Sequence, residues 1–373
     1  MSMRTATKRL FERLTDDSID VASDFVVAPR SLEQAAEVIG FAAEAGLRVG
    51  FWGGGTHRGI GNPVRPEVVV TTSGLDRLID WQPEDMTVVV EAGVPAIELD
   101  ATLSSRNQSA VLPETPGRAT VGGIVSCGLS GFRRLRYGPT RDRILEVHLV
   151  TGYGAVVRAG SSVVKSSTGY DLPRLAAGSL GSLGLIGRIR LKLWTEPIHS
   201  ATFHVDDAEQ ARVAVFRPLA VLESDGQGLV YLAGTEAEII AQADSLRATV
   251  RPGLEWPDEP AGTIRFVLRV APRYTRAAVD EVARLHGVHS LASFGVGEVS
   301  VGLDEVDPGE LDEMRSWAQR RGGSLVLLEA PSELYSGFGA WGKPPDAIEI
   351  QRRVKAAFDP AGVCNPGILP GGV

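Results

Sequence analysis

The chain has 373 residues, with 46 acidic against 38 basic side chains and a formal net charge of −8. That length calls for about two domains whose cores fold without covalent staples, and the acidic balance opposes binding to phosphate backbones, which excludes nucleic acid as a general partner. Its only two cysteines, Cys127 and Cys364, lie far apart with no CxxC spacing, which excludes a disulfide framework, a zinc site and an iron–sulfur cluster built from this chain.

The N-terminal MSMRTATKRLFERL carries basic residues with no apolar stretch behind them, so it predicts no secretory leader. No run reaches the roughly 18 apolar residues of a membrane helix. The expectation is a soluble protein of the cytoplasm, not inserted in a membrane and reaching one only peripherally, through partners.

In chain order, Phe25 to Ala28 reads as a first strand. Ser31-Leu32-Glu33-Gln34 has the form of a capping box and opens an amphipathic helix to about Ala45, stopped by Gly46. Leu47 to Trp52, Glu67 to Thr72 and Thr87 to Ala92 follow as strands, and Pro95 begins a helix through about Arg106. From Pro113 to Gly131 the side chains shrink, in PETPGRATVGGIVSCGLSG, and leave too little bulk to fill a core without another group. A hairpin then pairs Ile144 to Thr151 with Ala155 to Ala159 about Gly152-Tyr153-Gly154, and Leu185 to Trp194 is a further strand. Beyond Pro197 the strands Ile264 to Val270, Ser290 to Phe294, Val299 to Leu303 and Ser324 to Leu328 alternate with helices from Thr275 to His286 and from Pro308 to about Arg320. Their order, βαββαβ, predicts a ferredoxin-like unit.

GGGTHRGIG, Gly53 to Gly61, directly follows a strand. Such a run exposes several backbone N–H groups in one concave turn, where glycine removes the Cβ atoms that would hold an anion away. It is no Rossmann fingerprint, because a strand and not a helix comes next, and no P-loop, because Gly-Lys-Ser/Thr is missing. A second glycine-rich element, Ala119 to Gly123 with Gly128 and Gly131, precedes RYGPTRD. Two such loops suit a long dianionic cofactor better than a single phosphate does.

Taken in order, VVAPRSLEQ, WGGGT, VEAG, PGRATVGGIVSCGLSG, RYGPTRDRILEVHLVTGYGAVVRAG and GSLGSLGLI resemble the FAD-binding domain of the vanillyl-alcohol-oxidase family. VVKSSTGYDLPRL, Ala340-Trp341-Gly342 and FDPAGVCNPG resemble the shorter FAD-binding subunit of bacterial glycolate oxidases. The resemblance implies an α+β fold: a two-subdomain PCMH-type FAD-binding domain over 1–197, a small ferredoxin-like antiparallel cap domain over 198–330 that holds the small-molecule substrate, and a tail over 331–373 returning to the FAD domain. It implies that Gly53, Gly54, Gly55, Thr56 and His57 cradle the diphosphate of FAD. Thr120, Gly122, Gly123, Ser126 and Gly131 would line the isoalloxazine and ribityl path, Gly184, Leu185 and Ile186 the adenine end, and Asn365 would approach the flavin from the tail.

Some relatives attach FAD through a histidine in the first loop. Here Thr56 follows the glycines, so noncovalent FAD is expected and His57 reads as a polar loop residue, while Cys127 reads as a packing residue. The resemblance implies that relatives oxidising 2-hydroxy acids often carry paired histidines in their second half, with a divalent metal as the implied occupant. This chain has no histidine after His289, and His286 and His289 straddle Gly287 at a helix end, a structural reading that leaves no metal site. Arg118, Arg133, Arg134, Arg136, Tyr137, Arg141, Lys165 and Tyr170 supply polar groups near the glycine loops, first as neutralisers of the diphosphate. Arg141 reads as a partner of Asp142, and Tyr170 with Asp171 as an anchor before a helix. No catalytic base stands out. Three readings stay open: the FAD-binding subunit of a glycolate-oxidase-like 2-hydroxy acid dehydrogenase, partnered with a larger flavin subunit and an iron–sulfur subunit; a free-standing FAD oxidase or dehydrogenase of a sugar, alcohol or hydroxy acid; and a scaffold without FAD.

Overall fold

The computed structural model describes residues 11, 14, 15, 23–115, 117–161, 171–246 and 248–373. The first three long strands, β1 (Phe25–Val27), β2 (Val49–Trp52) and β3 (Val68–Thr71), form a parallel sheet in the order β1-β3-β2. Helix α1 (Leu32–Ala45) makes the connection from β1 to β2. Ser31 caps it, accepting from Gln34 N at 3.2 Å, and Gly46 ends it in the left-handed region at φ 68°. The Gln34 side chain accepts from Arg30 N at 2.9 Å, one residue before the position a capping box requires, so only half of that motif forms. The buried stripe Leu32, Ala35, Val38, Ile39 and Ala42 follows the helical repeat and packs against Val49, Val68 and Val70 of the parallel sheet and against Val150 and Leu185 of the next one.

That second sheet is antiparallel, in the order β4-β5-β9-β7-β8, with β4 (Leu78–Gln82), β5 (Thr87–Glu91), β7 (Ile144–Thr151), β8 (Val156–Gly160) and β9 (Gly184–Lys192). A short β6 (Gln108–Ser109) pairs separately with β10 (Trp194–Thr195). On the sheet's far face lie α2 (Ala96–Ser104) and α3 (Val121–Cys127), which bury Leu99, Leu103, Ile124 and Val125 against Val88, Val90, Val147, Ile189 and Leu191. Each such side chain contributes about 1.5–3 kcal/mol by leaving water. Short helices α4 (Arg134–Tyr137) and α5 (Leu172–Ala176) flank the hairpin, and Asp171 caps α5 by accepting from Arg174 N at 3.1 Å. Lys165 and Tyr170 lie outside the described residues.

The cap carries the βαββαβ pattern twice. The second unit, β15 (Ile264–Arg269), α8 (Thr275–Val282), β16 (His289–Ser293), β17 (Glu298–Leu303), α9 (Pro308–Gln319) and β18 (Ser324–Glu329), occupies the region the sequence marks. Ahead of it, β11 (His199–Val205), α6 (Ala208–Ala214), β12 (Ala220–Ser224), β13 (Gln227–Gly234), α7 (Glu236–Leu246) and β14 (Thr249–Pro252) repeat the order. Pairing of Leu222 with Ser293 and of Ser224 with Leu291 fuses the two into one eight-stranded antiparallel sheet, β14-β11-β13-β12-β16-β17-β15-β18. The missed unit had one local signal. Asp225-Gly226, with φ of 45° and 85°, is a two-residue hairpin turn whose residues tolerate the left-handed region.

After α10 (Ser332–Phe338) and α11 (Ile348–Phe358) the chain runs beside β2. Val49 N donates to Val363 O and Asn365 N to Val49 O, each at 2.8 Å, which extends the parallel sheet by a short edge.

Candidate cofactor and substrate site

The two glycine-rich loops meet. A Cβ on Gly53 would run into the Thr120 side chain, and one on Gly54 into the Arg118 carbonyl. Thr120 is the cap of α3, its hydroxyl accepting from Gly123 N at 3.2 Å, and Gly122 N donates to Ala92 O at 2.8 Å, which seats that helix on the end of β5. From the other end of α3, Ser126 O accepts from Leu180 N at 2.9 Å. Leu180 O accepts in turn from Asn365 Nδ2 at 2.7 Å, and Asn365 is bonded to Val49, where β2 begins. A closed circuit thus joins Gly53, Thr120, Ser126, Leu180, Asn365 and β2, drawn from segments over 300 residues apart.

The remaining expected residues sit elsewhere. Gly131 faces the Glu114 carboxylate and Pro113, which fill the space a side chain would take. Gly184, at φ 133°, backs onto the Val150 carbonyl. Leu185 and Ile186 point into two different apolar cores, so their side chains are not free to line a cofactor. Gly55 is exposed with nothing but the end of Arg58 near it. Thr56 Oγ1 meets His57 Nδ1 at 2.8 Å, and Arg58 lies over the Trp52 ring at 4.8 Å.

These segments suit an anionic, dinucleotide-like group. Residues 51–66, 115–141 and 177–192 contain no Asp or Glu, in a chain whose acids outnumber its bases, and they carry Arg58, Arg65, Arg118, Arg133, Arg134, Arg136 and Arg141. Around them Thr72, Ser179 and Ser182 hold buried hydroxyls with no partner among the described residues. A buried hydroxyl without a partner costs about 1–3 kcal/mol, which a bound ligand's acceptor oxygens relieve. Sequence reasoning missed Ser179 and Ser182; the signal was their place between glycines in GSLGSLG.

The first loop also reaches the cap. Tyr335 OH donates to Gly59 O at 2.8 Å, and Gly59 abuts the Leu328 carbonyl at the end of β18. His57 lies close enough to Arg265 of β15 that burial first, and that guanidinium second, hold its imidazole below the ordinary pKa of 6.5. Glu298 of β17 takes Arg269 at 2.8 Å and reaches Arg134 of α4 at 3.6 Å. Glu259 carries an exposed side chain on a neighbouring segment. Its segment is laid over β17, since Gly302 and Gly262 let Pro260 and Ala261 pack directly on that strand. Its side chain keeps contact with solvent, yet crowding by protein atoms raises its carboxyl pKa. Arg265 and the Ser300 hydroxyl oppose that rise, while Glu298 and Glu114 add to it.

Most of the arginines named from sequence are already engaged. Arg133 donates to Glu114 at 2.7 Å, and Arg136 to the Arg217 carbonyl. Asp142 takes Arg174 at 2.7 Å while Arg141 stays 3.9 Å away, so the expected Arg141–Asp142 pair is the weaker one. Tyr137 packs edge-on to Trp194 at 5.2 Å. His289 pairs with Asp225 at 3.0 Å and His286 is exposed at the helix end. Among the described residues no cluster of three His, Cys, Asp or Glu could hold a metal.

Residues 23–160 match the FAD binding domain family, and residues 338–369 match the C-terminal domain of FAD linked oxidases. Residues 23–160 are thus an FAD binding domain, and FAD is the cofactor it takes. The chain is 23% identical to an FAD-linked oxidoreductase of Mycobacterium tuberculosis, over 93% of this chain and 91% of that one. It is 26% identical to glycolate oxidase subunit GlcE of Escherichia coli, over 78% of this chain and 83% of the relative. The solved structure of an alkyldihydroxyacetonephosphate synthase superposes with a TM-score of 0.66 at 16% identity, over 93% of this chain and 76% of that one, and so shares its fold. No helix among the described residues is long and apolar enough to cross a membrane.

Proposed function

We propose that the chain oxidises the CH–OH carbon of a small 2-hydroxy acid in the cleft between the FAD domain and the cap, as an FAD-bearing subunit of a glycolate-oxidase-like complex. The observation that carries this reading is the meeting of the glycine loops with the cap: Gly59 abuts the Leu328 carbonyl, and Arg134 of α4 lies 3.6 Å from Glu298 on a sheet that also presents Arg265 and Arg269. The likeness to GlcE supports the substrate class and the subunit role.

Gly53, Gly54, Gly55, Thr56 and His57, with Thr120, Gly122, Gly123 and Ser126, are the residues to hold FAD noncovalently, and Asn365 closes the circuit behind them. Gly131 acts by leaving room for the Glu114 carboxylate and Gly184 for the Val150 carbonyl, and Leu185 and Ile186 act through backbone atoms. Bound FAD would supply the two-electron oxidant for the substrate C–H bond. The protein's own part is to bind the acid's carboxylate with cap arginines, hold its reacting carbon in place, and accept the hydroxyl proton.

Onward electron transfer calls for other polypeptides. This chain has no cysteine spacing for an iron–sulfur cluster, so a larger flavin subunit and an iron–sulfur subunit are the partners this reading assigns. They are needed to reoxidise the flavin, not to reduce it. Anaerobic mixing of the FAD-loaded chain with a panel of 2-hydroxy acids tests the reading. Bleaching of the flavin absorbance by one member supports it, and no bleaching by any member rejects it.

A further inference from the structure

We propose that the cap carries a docking groove for a partner polypeptide, in which an apolar side chain flanked by lysine or arginine seats between α9 and α10. The groove is a cavity of about 510 Å³, open to solvent and lined by neither glycine loop. Its size falls in the range of roughly 300–1,000 Å³ of ligand sites, enough for a few side chains. Docking there does not rest on the reaction proposed above.

An apolar floor and an acidic rim together define the occupant. Buried Ile264 at the start of β15 and buried Phe338 at the end of α10 form the floor, with half-buried Leu334 one turn earlier on the same helix face. Glu305, Asp312 and Glu333 stand exposed at the rim, and no Lys, Arg or His lines the cavity. Residues 304–313, from which two of the three come, hold six carboxylates and no base. The next base, Arg315, is buried and committed to the Phe338 and Gly339 carbonyls at 2.7 and 2.9 Å, where its charge offsets Asp312. The Glu305 and Glu333 side chains have no hydrogen-bond or ion-pair partner among the described residues. The floor takes a nonpolar side chain out of water, while the uncompensated rim selects bases beside it and repels acids. A second copy of this chain, at a net charge of −8, brings like charge to that rim.

The groove stands one helix away from the first glycine loop. α10 walls the cavity with Leu334, Gly337 and Phe338 and holds Gly59 O through Tyr335 OH at 2.8 Å. A partner seated here therefore adjoins the element that fastens the cap to the FAD domain. Gly337 offers a way to plug the groove: a Cβ there meets nothing within 4 Å, and its φ lies outside the left-handed region, so a larger side chain enters the cavity without displacing a described atom.

The test screens the full chain against arrayed decapeptides in which Leu, Phe or Met lies between Lys or Arg residues. Matched arrays replace the bases by Glu or the apolar residue by Ala, and fluorescence anisotropy measures the hits. Basic apolar peptides are expected to bind, more weakly as salt rises, and both control arrays to stay blank. With thermal melting showing that the variants fold, the double variant E305K/E333K is expected to weaken binding about tenfold or more, and Gly337→Phe to abolish it. No peptide binding more tightly than about 1 mM, equal binding by the Glu arrays, or hits that neither variant weakens would each overturn the groove as a docking site. Displacement of the hits by phenethylamine at equal concentration overturns the polypeptide in favour of a small amine. Sedimentation showing that the chain alone self-associates, and that Gly337→Phe stops it, overturns the partner in favour of a second copy.

Discussion

The Lys355 ammonium and the Asp359 carboxylate lie 2.5 Å apart on one turn at the end of α11, and Asp359 is fully buried. Lys355 also donates to the Ser182 carbonyl at 2.7 Å and the Cys364 carbonyl at 2.6 Å, and Asp359 accepts from Val363 N and Cys364 N. This pair fastens the tail to the loop whose Leu180 carbonyl takes Asn365. Removing one partner leaves the other charge buried alone, so Lys355→Met and Asp359→Leu should each cost about 3–5 kcal/mol, and the double variant less than the sum. Urea denaturation of the three variants measures this. Full additivity would contradict the pairing.

Gly54 and Gly117 make a matched pair for the glycine loops. A Cβ at 54 collides with the backbone of Arg118, while one at 117 meets nothing within 4 Å. Gly54→Ala should cost about 1–3 kcal/mol by overpacking and reduce FAD retention, and Gly117→Ala should change both little. Equilibrium dialysis of FAD against the two variants checks it, and equal affinities would mean the loops are not held in contact.

His57 gives a pH dependence of known sign. Its folded pKa lies below the unfolded value of about 6.5, so the unfolded chain binds the proton more readily. The corresponding stability is present above about pH 6.5 and is lost as pH falls below it. Between about pH 7.5 and 5.5 the wild type should therefore lose more melting temperature than H57Q. The groups facing His57 are Thr56 on its own loop and Arg265 on β15. An identical slope for both proteins would place His57 in open solvent.

The two thiols should be inert in the folded protein. Burial pushes Cys127 up to about 12, and burial together with the Asp359 carboxylate raises Cys364 further. Thiolate is the reactive form, so iodoacetamide at about pH 8 should label neither until denaturant is added. Cys127 is half-buried, so its rapid labelling in native protein would contradict the raised pKa.

How much of this the sequence discloses varies with the range of the forces involved. Helix α1 was legible because Ser31, Gly46 and the apolar stripe are local signals. The glycine loops were legible as loops, but their mutual contact was not, since Gly53 and Thr120 are distant in sequence. The first cap unit escaped because α6 is seven residues long and offers hardly two turns of periodicity, although Asp225-Gly226 announced its hairpin. Gly131 shows the same limit: its missing side chain leaves room for the Glu114 carboxylate, a neighbour that motif order cannot show. The Arg134–Glu298–Arg269 contact joins α4 to the cap sheet across more than 160 residues of sequence, and no local pattern encodes it.

The central claim is that the carboxylate-free surface around Gly53, Thr120, Ser126 and Asn365 holds FAD without a covalent bond. A visible spectrum of the purified protein, followed by acid precipitation, tests it most directly. The account predicts flavin bands in the native protein and all of the flavin in the supernatant after acid, identified there as FAD. Colourless protein that added FAD neither colours nor stabilises would contradict the site, and yellow colour remaining with the precipitate would contradict its noncovalent character.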